Sequence, residues 1–278
     1  MPRPSRSSSC PSSASRTRKV QAYLDFSHKP LQALIALAPL LLAYELGALL
    51  YATRYHQIIQ QGSVVVEQSI TQHVTARLWL LSFFEWLGIT GFFLPGLIVS
   101  ASLIGWHLYR KDPWQWSPKT YLLMYSESVL WAIPLFVFAL VLTPKPAWAL
   151  SSWLSTTLAY AYPSHTPWQA EVVFSLGAGI YEELLFRLLA MTIIHAFFFD
   201  YLKLPDSTSS LLAMVLSSLA FAFYHFSAAN PFSWSLLAFY SAAGFYLACI
   251  YILRGIGLAA GSHAFYDLFV VAWHLLRP

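Results

Sequence analysis

The feature that most constrains this chain is a series of long apolar runs that cover most of its length. A helix that crosses a bilayer needs about twenty consecutive, mainly apolar residues. Only 10% of the residues are charged, whereas about 25% are charged in an ordinary soluble domain. The sequence therefore predicts an all-α polytopic membrane protein, a bundle of about seven transmembrane helices. The seven runs are 31–53, 79–109, 120–143, 170–198, 209–227, 233–253 and 256–275.

The second run, 79–109, is longer than one crossing requires and contains the sequence GFFLPG at 91–96. Proline inside a helix removes a hydrogen bond and kinks the chain, so Pro95 is expected to interrupt this run. If 79–90 forms a separate re-entrant piece, the bundle has eight membrane segments. No internal repeat is visible, and residues 30–278 are expected to form a single membrane domain.

The first 29 residues differ in character from the rest, since they are rich in Ser, Pro and Arg and hold six of the sixteen Lys and Arg residues. We expect residues 1–29 to form a disordered, basic cytoplasmic tail and not a nucleic-acid-binding segment. The first apolar run is longer than the core of a signal peptide and no cleavage site follows it. That run is therefore expected to remain as a membrane anchor.

The distribution of basic residues predicts how the chain is oriented in the membrane. The tail and the loop 110–119 together hold nine Lys and Arg residues, whereas the loops 54–78 and 144–169 hold three. Cytoplasmic loops carry the excess of basic residues. If the first two runs each cross once, the tail and loop 110–119 lie on the same side, and the N-terminus is cytoplasmic. Seven crossings would then place the C-terminus outside.

Three charged residues lie close together inside the fourth apolar run, in GAGIYEELLFRLLA at 177–190. An ionised side chain at the middle of a bilayer costs roughly 2.5–3.5 kcal/mol. Glu183 and Arg187 are four residues apart in the order that favours an ion pair on one helix face. Glu182 is rotated about 100° away and has no cation of its own, which suits a general base. The alternative is that the three charges only hold neighbouring helices together.

Two later runs carry buried histidines. His225 lies in LAFAFYHFSAAN at 219–230, where an isolated histidine could equally be a packing residue. His263 and Asp267 lie four residues apart in GLAAGSHAFYDLFV at 257–270, so both project from one face of the last helix. Asp267 could orient the imidazole, or the two residues could bind a metal or polarise a carbonyl.

Ionisable residues on three separate helices would be costly if they faced lipid, and they are expected to face one another around an intramembrane polar cavity. A glutamate, two histidines and an aspartate are a typical acid–base group. Small residues would allow the helices that carry them to approach closely. They are Gly177, Gly179, Gly255, Gly257, Gly261 and Ser262.

Three motifs follow one another on these late helices: E-E-x-x-x-R at 182–187, F-x-x-x-H at 221–225 and H-x-x-x-D at 263–267. In this order they resemble the CPBP family of intramembrane glutamic endopeptidases. That family includes the type II CAAX prenyl proteases and bacteriocin-processing and self-immunity relatives. The resemblance covers about 170–278, which is therefore the predicted catalytic core, while residues 1–160 show no family signal.

The resemblance implies roles for individual residues. Glu182 and His225 match the positions that activate water, and His263 and Asp267 match the positions that stabilise the oxyanion of the tetrahedral intermediate. The implied activity is hydrolysis of a peptide bond near the membrane-proximal end of a membrane-associated protein or peptide. The substrate would enter from the lipid bilayer, between helices.

Glu183 and Arg187 match positions that support the site in this family. Asp267 differs from the eukaryotic CAAX enzymes, which have asparagine at this position, and agrees with bacterial-type members. An ionised carboxylate would repel an oxyanion, so Asp267 would be protonated, orient His263 or ligate a metal. The bacterial pattern leads us to expect a prokaryotic inner membrane protein.

Two sets of alternatives stay open at this point. No cofactor is expected, because the zinc-protease signature H-E-x-x-H is absent, but a metalloprotease-like variant would use zinc. A non-catalytic, partner-binding protein of the immunity type is the alternative to an enzyme. A proton-coupled transporter is a further alternative, for which Glu45 in the first run would be suited. The zinc ligands of the metal variant would be His225, His263 and Glu182.

Overall fold

The computed structural model describes four stretches of the chain: residues 13–61, 74–142, 167–226 and 231–276. Within them the chain forms helices and no β-strand, which confirms the all-α class. The helices are α1 (Ser13–Ser27), α2 (Pro30–Gln61), α3 (Thr75–Trp86), α4 (Leu94–Arg110), α5 (Pro118–Leu142), α6 (Trp168–Tyr201), α7 (Asp206–Tyr224), α8 (Trp234–Arg254) and α9 (Ile256–Leu275).

Among the described residues, six helices are long and apolar enough to cross a membrane: α2, α5, α6, α7, α8 and α9. Each coincides with one predicted run. The remaining run, 79–109, is instead divided between α3 and the 17-residue α4. The chain turns between them with Gly88 at φ +80°, a conformation that favours glycine. Pro95 is the second residue of α4, where proline needs no hydrogen-bonded N–H, so it begins a helix and does not kink one.

Helix α4 packs antiparallel to α2. Near the middle of α2, the Glu45 carboxylate lies beside Gly96 in the first turn of α4. At the start of α2, Lys29 forms an ion pair with Asp112, just beyond the end of α4, at 3.8 Å. Gln32 also donates a hydrogen bond to the backbone carbonyl of Gln115 at 3.0 Å. These contacts confirm that the start of α2 and the loop 110–119 lie at the same end of the bundle.

The position of Arg77 corrects the count of basic residues in the loop 54–78. The count predicts Arg77 in that loop, but the residue lies in the first turn of α3 and is fully buried. Its guanidinium pairs with Glu45 at 3.6 Å, donates to the carbonyl oxygen of Phe92 and lies over the Phe92 ring. A buried arginine is tolerated because these groups compensate its charge, and it carries no information about membrane orientation.

Residues Ser13–Ser27 form helix α1, so the prediction of a disordered tail is wrong for this segment; the first twelve residues lie outside the described part. Polar contacts fix α1 to the bundle. The Tyr23 hydroxyl donates to Glu127 at 2.6 Å, and Arg254 binds both Glu127 and Ser27. Burial and the Glu127 carboxylate raise the pKa of Tyr23, so its hydroxyl remains a donor.

Helix α9 lies at the centre of the bundle and contacts α2, α5, α6 and α8. Small residues allow this crowding. A Cβ atom at Gly179 of α6 would lie 2.6 Å from the backbone nitrogen of Ala264 of α9, and one at Gly257 would lie 2.9 Å from the Cα of Ala33 of α2. The sequence prediction of close helix approach at these glycines is confirmed. Gly255 at φ +81° makes the abrupt turn between α8 and α9.

The contact at Gly179 yields a first prediction. Gly179→Ala should lower the free energy of unfolding by about 1–3 kcal/mol, because the added methyl group overpacks against rigid backbone of α9. The measurement is thermal unfolding of the purified protein in detergent. Gly105→Ala is the matched control, since a Cβ atom there meets no heavy atom within 4 Å. Equal melting temperatures for the two variants would contradict the close approach of α6 and α9.

Candidate active site

Helix α6 supplies the two glutamates at a point where its hydrogen-bonding pattern changes. A regular α-helix ends at Glu183, and the next residues, Leu184–Ala190, form a π-helical segment. A second π segment, Phe197–Tyr201, ends the helix, so the predicted regular helix over 170–198 is interrupted twice. π-helical segments within α-helices frequently mark functional sites. Here the first one carries Arg187.

Glu182 projects into a buried space between α6, α9 and the end of α7. Its Oε2 atom lies 3.7 Å from Nε2 of His225 and 3.9 Å from Nε2 of His263. Its Oε1 atom accepts a hydrogen bond from the Tyr224 hydroxyl at 3.2 Å. Among the described residues, Oε2 has no hydrogen-bond partner. One carboxylate oxygen is therefore held in place, and the other faces both imidazoles.

His225 is the first residue after α7, which ends at Tyr224, whereas the sequence predicted a helix to residue 227. Its Nδ1 atom lies 2.7 Å from the carbonyl oxygen of Phe221. Since a carbonyl can only accept, Nδ1 carries the proton and Nε2 is the atom that faces Glu182. The ring also stacks on Tyr240 of α8, with centroids 4.2 Å apart. These contacts fix the orientation of the imidazole.

His263 lies in the middle of α9 and is oriented by carboxylates on both sides. Its Nδ1 atom lies 3.0 Å from Oε1 of Glu183, which accepts a hydrogen bond from the Nδ1–H group. Its Nε2 atom is 3.7 Å from Oδ2 of Asp267, one turn later, and faces Glu182 as well. His263 and Glu183 are buried, whereas the Asp267 side chain is 24% exposed.

The predicted ion pair between Glu183 and Arg187 is confirmed. Arg187 Nε lies 3.0 Å from Glu183 Oε2, and both side chains are fully buried. The guanidinium also donates to the Ser217 hydroxyl of α7 at 3.2 Å and lies over the ring of Phe221. Ser217 in turn donates to the carbonyl oxygen of Phe186 at 2.7 Å. The pair therefore joins α6, α7 and, through His263, α9.

All six residues that the sequence placed in one site are brought together. Three contributors were not predicted: Tyr224, Ser217 and Tyr240. Tyr224 stands directly before His225 in FAFYH, so its position in the motif was the available signal. Ser217 lies within an ordinary apolar helix and Tyr240 lies on another helix, and nothing in their local sequence connects them with the glutamates.

Glu45 lies in a separate buried cluster beside this site. It accepts a hydrogen bond from the Tyr181 hydroxyl and pairs with Arg77. Its carboxylate is thus compensated by an arginine and a hydroxyl from neighbouring helices. This arrangement agrees with a packing role for Glu45 and offers no support for the transporter alternative.

The zinc alternative requires three ligands around one point. Glu182, His225 and His263 have suitable donor atoms, but no group of three or more His, Cys, Asp or Glu residues in the described ranges has the geometry to hold a metal ion. We therefore assign no catalytic step to a metal.

Comparison with known proteins gives a family match for the C-terminal part of the chain. Residues 163–269 match the family model described as Type II CAAX prenyl endopeptidase Rce1-like. This region contains all six predicted site residues and begins after α5. No curated protein and no solved structure matches the chain. The match supports membership of the family that the three motifs indicated.

The buried pair gives the second prediction. Arg187→Ala should destabilise the protein by about 3–5 kcal/mol, because Glu183 would be left as an uncompensated buried charge. Arg110→Ala is the matched control: Arg110 also lies 3.0 Å from a carboxylate, that of Asp112, but its side chain is 42% exposed. An exposed pair contributes about 0–1 kcal/mol. The measurement is thermal unfolding in detergent, and similar losses in both variants would contradict the supporting role of Arg187.

Proposed function

We propose that this integral membrane protein is an intramembrane endopeptidase in which Glu182 and His225 activate water, and the match of residues 163–269 to the Rce1-like family of type II CAAX prenyl endopeptidases supports the proposal. The observation that carries this proposal is the position of Glu182 Oε2, buried and 3.7–3.9 Å from the Nε2 atoms of two oriented histidines. Glu182 Oε2 and His225 Nε2 are both acceptors, and at a separation of 3.7 Å they can share one water molecule that lies about 2.8 Å from each.

The first step is the attack of water on the scissile carbonyl carbon. The Nδ1–H of neutral His225 donates a hydrogen bond to the Phe221 carbonyl. Its Nε2 lone pair therefore faces the same space as Glu182 Oε2. A water molecule between them donates one hydrogen bond to each. As its oxygen bonds to the carbonyl carbon, one of its protons moves to Glu182, which acts as the general base.

The tetrahedral intermediate carries a negative oxygen that needs a donor. The Nδ1–H of His263 donates a hydrogen bond to Glu183. Its Nε2 atom can therefore donate a second hydrogen bond only when the ring is an imidazolium. The carboxylates of Glu183 at 3.0 Å and Asp267 at 3.7 Å supply the counter-charge for that imidazolium. We assign His263 to the oxyanion and Asp267 to the orientation and charge of His263.

The reaction ends with cleavage of the carbon–nitrogen bond. The proton that Glu182 received passes to the leaving amine nitrogen, which regenerates the carboxylate. One water molecule is consumed, and one carboxylic acid and one amine are produced, with the second proton of the water on the new carboxyl group. The substrate is a membrane-associated protein or peptide that enters from the bilayer and is cut near its membrane-proximal end.

The N-terminus of the enzyme is assigned to the cytoplasm of a prokaryotic cell, in accordance with the basic tail.

The third prediction tests the general base. Glu182→Gln should lower cleavage by at least about 10²-fold, because an amide cannot accept the proton of the attacking water. Its melting temperature should be unchanged, since glutamine keeps the size of the side chain and can still accept from Tyr224. Glu171→Gln, on the same helix, is the control and should cleave normally.

The assay uses proteoliposomes with quenched fluorescent peptides ending in a CAAX sequence, with and without a prenyl group. Comparison of membrane proteomes from cells that express wild type or Glu182→Gln extends the search to natural substrates. If Glu182→Gln cleaves every substrate of the wild type at the wild-type rate, the proposed function is wrong.

The fourth prediction concerns metal dependence. Activity should survive treatment with 1,10-phenanthroline and EDTA followed by desalting, because Glu182 and His225 are assigned the activation of water. Inactivation that is reversed by Zn²⁺ but not by Mg²⁺ would overturn the metal-free mechanism in favour of the zinc alternative.

A further inference from the structure

Helix α3 belongs to the half of the chain that precedes the family match, yet its first turn reaches the proposed site. Ala76 is the second residue of α3, and the first N–H groups of a helix have no partner within it. The Ala76 N–H donates to the Tyr224 hydroxyl oxygen at 2.8 Å. One of the free donors at this helix terminus is therefore used by a residue adjacent to His225.

The bond from Ala76 determines what the Tyr224 hydroxyl can do next. A phenol oxygen accepts and has one proton to donate. Since the backbone N–H occupies it as an acceptor, its proton is directed to Oε1 of Glu182 at 3.2 Å. The chain of bonds runs from Ala76 through Tyr224 to Glu182. It anchors Oε1 and leaves Oε2 to face the imidazoles.

The ring of Tyr224 is held independently of its hydroxyl. It packs edge-to-face against Trp79 of α3 and Phe186 of α6, with centroids 5.2 and 5.3 Å away. Phenylalanine at this position would keep both ring contacts. The hydroxyl can therefore be removed with little change in packing.

Helix α3 is itself fixed to α6 by a second link. Arg77 is fully buried and pairs with Glu45, which accepts a hydrogen bond from Tyr181, the residue before Glu182. The N-terminus of α3 is thus attached on one side to Tyr181 and on the other to Tyr224. Its position relative to Glu182 is defined from two directions.

We infer that Tyr224 is a positioning residue of the peptidase site, and that the first turn of α3 is the element that aims it at Glu182. The inference rests on the proposed function and adds to it a contribution from residues outside the 163–269 match. Tyr224 acts through Glu182 and is not assigned a contact with the substrate.

The fifth prediction tests this role with Tyr224→Phe. Loss of one hydrogen bond to a charged group should lower kcat about tenfold, while KM stays the same because no substrate contact is removed. The melting temperature should stay close to wild type, since the ring contacts remain. Tyr246→Phe is the matched control, because that hydroxyl donates to the Trp131 carbonyl at 2.8 Å, away from the site.

A second variant tests the link to α3. Replacement of Ala76 by its α-hydroxy analogue, L-lactic acid, removes the donating N–H and adds no atom, whereas the ring of a proline would collide with the Tyr224 oxygen 2.8 Å away. It should lower kcat in the wild-type background and have no further effect in Tyr224→Phe, because both changes interrupt one chain of bonds. Losses that multiply in the double variant would contradict the link.

The outcomes separate this inference from the proposed function. If Glu182→Gln is inactive while Tyr224→Phe matches wild type or Tyr246→Phe in kcat, the peptidase assignment stands and the positioning role is wrong. If Tyr224→Phe changes KM but not kcat, the hydroxyl contacts substrate and the inference is also wrong. If Glu182→Gln is fully active, the proposed function itself fails.

Discussion

The charge of Arg187 is the constraint around which the site is organised. It is fully buried, and its compensation by Glu183 makes two ionised groups tolerable in a helix that spans the membrane. Arg187 pairs with one carboxylate oxygen of Glu183, and the other oxygen accepts a hydrogen bond from Nδ1–H of His263. The imidazole is thereby turned so that Nε2 faces Glu182. An ion pair within one helix thus sets the geometry of a group on another.

Close backbone packing supplies the second condition. Gly179 stands one turn before Glu183, and the absence of its side chain allows α9 to approach at Ala264, the residue after His263. On another face of α6, Gly177 makes room for the ring of Tyr44 of α2. Polar groups in a bilayer interior gain little unless their donors and acceptors are brought within reach. The glycines are therefore as necessary to the site as the charged residues that they flank.

The sequence predicts the features that depend on local spacing and on the cost of buried charge. The pairing of Glu183 with Arg187 follows from a separation of four residues, and the meeting of three polar helices follows from the expense of exposing them to lipid. The sequence predicts the break within 79–109 near GFFLPG at 91–96, and the structure has it between Trp86 and Leu94. The ends of α3 and α4 are not predicted, because apolar composition indicates the surroundings of a segment and not where a helix ends. The sequence also predicts Arg77 in a loop, because an arginine at the start of a helix is usually exposed. Arg77 is buried because its partner, Glu45, lies on a helix that is distant in the sequence. Tyr224 likewise acquires its role only through α3.

Three consecutive residues of α6 show why the N-terminal half is needed although only the C-terminal half carries the family motifs. Tyr181 donates to Glu45 of α2, Glu182 faces α9 and the end of α7, and Glu183 binds His263. Successive helical residues point about 100° apart, so the three face in different directions and require neighbours on every side. Helices α7 and α9 supply two of those sides. The third is closed by α2 and α3, whose buried pair of Glu45 and Arg77 binds Tyr181 and thereby fixes the rotation of α6 about its own axis. The direction of the Glu182 carboxylate is set by that rotation, and so it depends on residues that no motif of the family contains.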